Sequence, residues 1–168
     1  WKMVKELPLK GEIWYGQDFG YKVASALVQV EMYEGAIYAN ELIYQTGLTT
    51  NDLIETYKAI GMSKTGEIYC DAAEPKTIEE MFRAGYNVQP ADKDVWAGIQ
   101  KVKSMPLYIT ENSLNLLHEL KNYKWKTDKD GVIKPSEEPV KLFDHALDAL
   151  RYAVFTKLSG LQYSWVAI

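Results

Sequence analysis

Apolar residues in the first part of the chain come in short, nearly continuous runs, each closed by a turn signal. Ile13 to Phe19 is strand-like up to Asp18, Val23 to Tyr33 forms a second run, and Ala36 to Tyr44 a third. Glu34-Gly35, between the second and third, is a hairpin signal. Tight connections in succession predict an antiparallel meander of three strands. A lead-in segment, residues 1–12, ends in a turn at Lys10-Gly11.

From Thr49 the period changes. Thr49 to Asp52 offers helix N-caps, Leu53, Ile54, Tyr57 and Ile60 recur at helical spacing, and Gly61 suits a C-cap. Ile68-Tyr69-Cys70 reads as a short strand running into Asp71. Glu74-Pro75 opens a helix to about Ala84, with Ile78, Met81 and Phe82 as its buried stripe. Tyr86 to Val88 is strand-like, and Val95, Ile99 and Val102 mark a helix ending before Pro106. Leu107-Tyr108-Ile109 follows as a strand, and Thr110 is expected to cap a helix with Leu114, Leu117 and Leu120 inside. Tyr123 to about residue 134, with Asp130-Gly131 in the middle, reads as a polar β-hairpin. A last helix is predicted from about Val140 to Leu158, with Phe143, Leu147, Leu150, Val154 and Leu158 on one apolar face. The tail, residues 160–168, carries no pattern. A meander followed by strand–helix alternation predicts one α/β domain over residues 1–168, a mixed sheet with helices on both faces. The strands ending in Asp18 and Asp71 are expected to be neighbours.

The chain's 168 residues suffice for one core, and 47% hydrophobic with 25% charged residues is an ordinary globular balance. A net charge of −4 argues against nucleic-acid binding through overall charge. It leaves room for a nuclease with a metal-masked acidic site and local basic patches. One cysteine, Cys70, rules out an internal disulfide and suits a reducing compartment. No apolar run reaches the length of a membrane span, and no signal peptide is present.

The chemistry lies in the carboxylates. A charged group at the end of a buried strand must be paired, protonated or metal-bound, because burying it alone is costly. Taken alone, Asp18 before Phe19-Gly20 also suits a turn, and Asp71 before Ala72-Ala73-Glu74-Pro75 also suits a helix cap. Asp148 adds weight. Asp144 lies one turn before it and His145 three residues before it, on one flank of the last helix. A solvated acidic face neutralised by Arg151 is the plain alternative, but Ala146, Leu147, Ala149 and Leu150 around it are small or apolar.

Clustered carboxylate oxygens select Mg2+ or Mn2+ rather than zinc. Two such ions about 4 Å apart can activate water and stabilise a leaving oxygen in phosphodiester cleavage. Cys70 has no second cysteine with which to bind zinc, and His118 is expected to be structural. No Gly-rich phosphate loop ending in Lys-Ser/Thr is present. Lys124, Trp125, Lys126 and Lys129, with Lys134, give the hairpin a basic and aromatic character suited to DNA, or to a solvated lysine-rich ribbon. Lys76 is a further basic candidate for DNA contact.

Three blocks together resemble the nuclease domain of phage terminase large subunits. They are Tyr15-Gly16-Gln17-Asp18-Phe19-Gly20-Tyr21; Cys70-Asp71-Ala72-Ala73-Glu74-Pro75-Lys76-Thr77-Ile78 with Ala84-Gly85-Tyr86-Asn87-Val88; and Asp144-His145-Ala146-Leu147-Asp148-Ala149-Leu150-Arg151-Tyr152. The resemblance covers roughly Trp14 to Tyr152. It implies an RNase H-like fold and an endonuclease that cuts double-stranded concatemeric DNA during genome packaging. Asp18 is then expected to bridge two Mg2+ or Mn2+ ions, Asp71 to complete one and Asp148 the other. Asp144 is a further candidate ligand, and His145 stands beside the reacting water or leaving group. The implied partners are double-stranded DNA, a packaging ATPase domain N-terminal in the full-length chain, the terminase small subunit and the portal, in the host cytoplasm. The start at Trp1, without an initiator methionine, fits a piece of that longer chain. Two other readings stand beside it: a resolvase or transposase of the same fold, and an actin-like fragment whose Asp18-Phe19-Gly20 would contact nucleotide phosphates.

Overall fold

The structure, a computed structural model, describes residues 1–123 and 144–159. The expected hairpin beyond Tyr123, with Lys124, Trp125, Lys126, Lys129 and Lys134, lies outside the described residues. So do the predicted helix start at Val140 and Phe143, and the tail.

The meander forms as the pattern predicts. β2 (Glu12–Asp18), β3 (Ser25–Tyr33) and β4 (Ala36–Gln45) pair antiparallel in succession. Glu34 and Gly35 both take positive φ, the two-residue turn that matches strand twist. After the meander come α1 (Thr50–Ala59), β5 (Glu67–Cys70), α2 (Pro75–Arg83), β6 (Asn87–Pro90), α3 (Val95–Lys103), β7 (Leu107–Thr110), α4 (Leu114–Asn122) and α5 (His145–Leu158). Thr49 caps α1 through a reciprocal box with Asp52. The lead-in segment is not without structure: β1 (Lys2–Val4) pairs parallel with β7. Three residues are too few to show a periodic signal. The sheet order is β1-β7-β4-β3-β2-β5-β6, with parallel pairs outside the meander.

Strand alternation divides the core in two. Trp14, Val28, Val30, Ala39 and Ile109 face a layer built from α3, α4 and α5. Tyr15, Leu27, Ile68 and Cys70 face α1 and α2 through Leu53, Tyr57 and Met81. A bulge at Leu42 breaks the alternation, so Leu42 and Ile43 pack on the α1–α2 side and Tyr44 turns to the α5 side.

Four expectations need correction. Phe82 is 63% exposed, because α2 covers the sheet chiefly with Met81. Leu114, 70% exposed, starts α4 pointing outward, and Leu116 takes its place in the core. Thr110 does not cap α4; it is buried in β7 and its hydroxyl joins Asn40 and Ser113. His118 is exposed on α4 rather than packed inside.

Candidate active site

Asp18 closes β2, and Asp71 is the first residue after β5. These strands pair in parallel with Gln17 opposite Cys70, so both carboxylates sit at the same end of neighbouring strands. Gln17 fixes that end from behind. It is fully buried, donates from Nε2 to the Asp18 carbonyl at 2.7 Å and to Ser25 Oγ at 2.8 Å, and accepts from the Tyr57 hydroxyl at 2.7 Å.

Asp148 comes from α5, which lies directly on β2. Gly16 permits that approach: a Cβ there would fall 1.8 Å from the Ala149 carbonyl oxygen. Ala146, Ala149 and Ala153 are buried, and Trp14 Nε1 donates to the Ala153 carbonyl at 2.9 Å. The face of α5 nearest the sheet is therefore this small-residue face as well as the predicted Leu150–Val154 stripe. The start of α5 is held by Glu119, a buried carboxylate that accepts from the Leu147 amide at 2.9 Å and the Tyr44 hydroxyl at 2.8 Å. Burial raises the Glu119 pKa, and the Leu147 and Tyr44 bonds oppose the rise.

The five residues predicted as catalytic or metal-binding, Asp18, Asp71, Asp144, His145 and Asp148, line one cleft of about 360 Å3. Lys76 does not line it; it stands on the surface of α2, 3.8 Å from Glu80. The cleft also receives Lys93, Arg151 and Tyr152. Each of the three principal acids faces a basic group. His145 Nδ1 lies 2.9 Å from Asp18 Oδ2. Arg151 donates from Nε and Nη2 to Asp148 Oδ1 at 3.2 and 2.8 Å. The Lys93 ammonium pairs with Asp71 Oδ1, which also accepts from the Ala73 amide at 2.8 Å. Arg151 thus neutralises Asp148 as its spacing predicts, but from a buried position.

Burial pushes the Asp18 carboxyl up to about 6, against the pull of its His145 hydrogen bond; the negative charges of Asp148 and Asp71 push it further up. The His145 pKa is raised, chiefly by the bond to Asp18. Burial also drives the Cys70 thiol up to about 12, which makes it an inert core group rather than a metal-binding thiolate.

Residues 16–155 match the family described as "Terminase RNAseH like domain". The chain belongs to that family. A comparison with curated proteins finds no match. Among solved structures, the g2p (large terminase) nuclease domain of bacteriophage SPP1 with bound Mn is 21% identical, with a TM-score of 0.79 over 93% of this chain and 95% of that one. The P22 large terminase nuclease domain is 16% identical, with a TM-score of 0.72 over 93% and 87%. The large terminase of thermophilic bacteriophage D6E in complex with ADP is 24% identical, with a TM-score of 0.80 over 95% of this chain and 43% of that one. At these identities the likeness establishes the RNase H-like fold.

The acids of this terminase RNase H-like domain suit a hard divalent cation. Among the described residues, the bonds to each fall on one oxygen, Oδ2 of Asp18, Oδ1 of Asp71 and Oδ1 of Asp148, and leave the other oxygen for a further ligand. As the side chains stand, no group of three or more His, Cys, Asp or Glu among the described residues is arranged to hold a metal ion. The basic partners stand among the acids instead.

Lys93, Gln17 and Glu119 escape sequence reasoning. Lys93 lies in a polar loop with no local pattern. The only trace of Glu119 is a lone acid among Leu116, Leu117 and Leu120.

Proposed function

We propose that this domain is the metal-dependent endonuclease of a large terminase, cutting double-stranded concatemeric DNA during genome packaging. The observation that carries this reading is the convergence of Asp18, Asp71 and Asp148 from three elements onto one cleft, each with a carboxylate oxygen to offer. Hard oxygen donors in that number favour Mg2+ or Mn2+. The SPP1 nuclease domain with bound Mn, and the nuclease of thermophilic phage G20c with bound zinc or cobalt, support a divalent site on this fold.

Two ions held by Asp18, Asp71 and Asp148 would supply the Lewis acidity that activates water and stabilises the leaving oxygen. The chain's own groups do the rest. Asp18 stands at the end of β2, next to Asp71 in the sheet and under α5, where a shared ligand belongs. His145 keeps Oδ2 of Asp18 engaged through Nδ1, which leaves its Nε2 to exchange a proton with water or the leaving oxygen. Arg151 holds Asp148 in one orientation through two donors. Asp144, at the N-cap of α5, is a further candidate ligand from the same helix end. Lys76 and the basic residues Lys124, Lys126 and Lys129, with Trp125, would help hold the duplex.

The chain spans 43% of the D6E large terminase, a protein seen in complex with ADP. A packaging ATPase domain in the same full-length chain, with the small subunit and portal as partners in the host cytoplasm, completes the proposal. The test is plasmid digestion by the wild-type chain with Mg2+, Mn2+ or EDTA, beside Asp18→Asn, Asp71→Asn and Asp148→Asn. Metal-dependent nicking lost in all three variants is expected. Nicking that persists in each variant with Mn2+ would overturn the assignment.

A further inference from the structure

The three basic partners in the cleft are not equivalent. Arg151 is 5% exposed at its side chain and grips Asp148 with two donors, so it cannot leave without stranding a buried charge. His145 is also largely enclosed. Lys93 is 44% exposed, and Asp71 beneath it 22%. An ammonium on a flexible four-carbon stem is the group best able to let go.

The base of that stem is nevertheless fixed. Lys93 lies between β6 and α3 in a short loop clamped on both sides. The Ala91 amide donates to the Cys70 carbonyl at 2.8 Å, and the Asp92 amide to Thr156 Oγ1 at 3.0 Å. The Asp94 amide donates to Asp92 Oδ1 at 2.9 Å, and Asp94 caps α3 by accepting from the Ala97 amide at 2.9 Å. These contacts tie the loop to β5, to α5 and to the start of α3. A held backbone with a half-exposed ammonium on a long stem at the cleft is suited to a charge that changes partner.

We propose that Lys93 is an exchangeable phosphate-binding residue. It covers Asp71 until a divalent cation takes the carboxylate, and its ammonium then contacts a backbone phosphate of the bound DNA strand. The inference rests on the nuclease reading of this cleft and adds to it a residue outside the predicted ligand set. Lys93 and a divalent cation compete for Asp71, so removing the lysine strengthens cation binding. Lys93 and the cation cooperate toward DNA, so removing the lysine weakens duplex binding.

The experiment titrates Mn2+ calorimetrically into the wild-type chain, Lys93→Ala, Lys93→Arg and Lys58→Ala. It also measures anisotropy of a labelled short duplex with Ca2+ over a range of salt. Lys93→Ala is expected to tighten Mn2+ binding about three-fold, the scale of losing a half-exposed ion pair. It is also expected to weaken duplex binding and reduce the magnitude of the salt slope by about 1. Lys93→Arg is expected to restore the slope, and Lys58→Ala, which removes a lysine paired with Glu55 on α1, to leave Mn2+ affinity unchanged. Unchanged or weaker Mn2+ binding by Lys93→Ala would overturn the exchange. An equal gain in Lys58→Ala would do the same, by showing a general effect of charge. An unchanged salt slope would overturn the phosphate contact. Failure of the wild-type chain to bind Mn2+ at all would instead overturn the nuclease reading, which separates the two.

Discussion

β2, β5 and α5 meet at two ends, and the two meetings are charged in opposite senses. At one end stand Asp18, Asp71 and Asp148. At the other, Glu12 opens β2, Glu67 opens β5, and Lys157 lies in the last turn of α5. Lys157 Nζ reaches Glu12 at 2.7 Å and Glu67 at 2.5 Å, so one ammonium ties all three elements together. Burial works against the Lys157 charge, but its hydrogen bonds to Glu12 and Glu67 outweigh burial and raise its pKa. At the cleft the balance reverses: burial and neighbouring acids outweigh the His145 bond, and the Asp18 charge is disfavoured. One end of the scaffold uses charge for cohesion. The other holds acids whose charge a further cation would complete.

Substitutions can break this contrast. The largest effect is expected at the cleft, where Asp18→Asn should lower metal-dependent cleavage by at least about 100-fold in a plasmid assay. The same assay should find Lys157→Met within about two-fold of wild type, since its pairs with Glu12 and Glu67 stand at the end of the scaffold away from the cleft. Equal losses in both would erase the distinction between the ends.

Gly16→Val tests what brings α5 down on β2. With the Ala149 carbonyl in the place of its Cβ, the substitution is expected to cost about 3 kcal/mol in urea unfolding and to lower cleavage with it. A stable Gly16→Val chain would show that α5 is seated by other contacts.

The pH dependence of stability has a definite sign. The Asp18 carboxyl titrates near 6 in the folded chain, above its ordinary value of 3.8. Between those values the folded chain holds a proton that the unfolded chain releases, so stability rises as pH falls through about 6 toward 4. His145 acts the same way: its raised pKa makes its contribution full below its unfolded value, and that contribution is lost as pH rises through the folded one. With EDTA present, acidification from about pH 7.5 to about pH 5 is expected to gain on the order of 1 kcal/mol from Asp18, with His145 acting in the same direction. Asp18→Asn should remove most of that gain, read as a flatter Tm–pH profile. An unchanged profile in the variant would assign the effect elsewhere. The smallest effect is Lys157→Met on stability, about 1 kcal/mol after allowing for solvent screening, measured by urea titration.

Much of the site was legible because its acids interrupt recognisable patterns. Asp18 and Asp71 each end an apolar strand run, and Asp148 sits among small apolar residues on a periodic helix. Such exceptions to local pattern are visible without coordinates. Lys93 and Gln17 break no local rule, and Glu119 shows only as a lone acid among leucines, so nothing along the chain gives their partners. Their contacts reach 22, 40 and 28 positions away, to Asp71, Tyr57 and Leu147.

Periodicity and turn chemistry by themselves determined the meander, the strand–helix order and the carboxylates at the strand ends, because these depend on neighbours a few residues apart. Packing decided the rest. Only the bulge at Leu42 could turn Tyr44 toward α5, only the missing Cβ of Gly16 could admit Ala149, and only the clamped loop could carry Lys93 to Asp71. Those are contacts between distant segments, and their geometry exists only once the sheet and its covering helices have closed on each other.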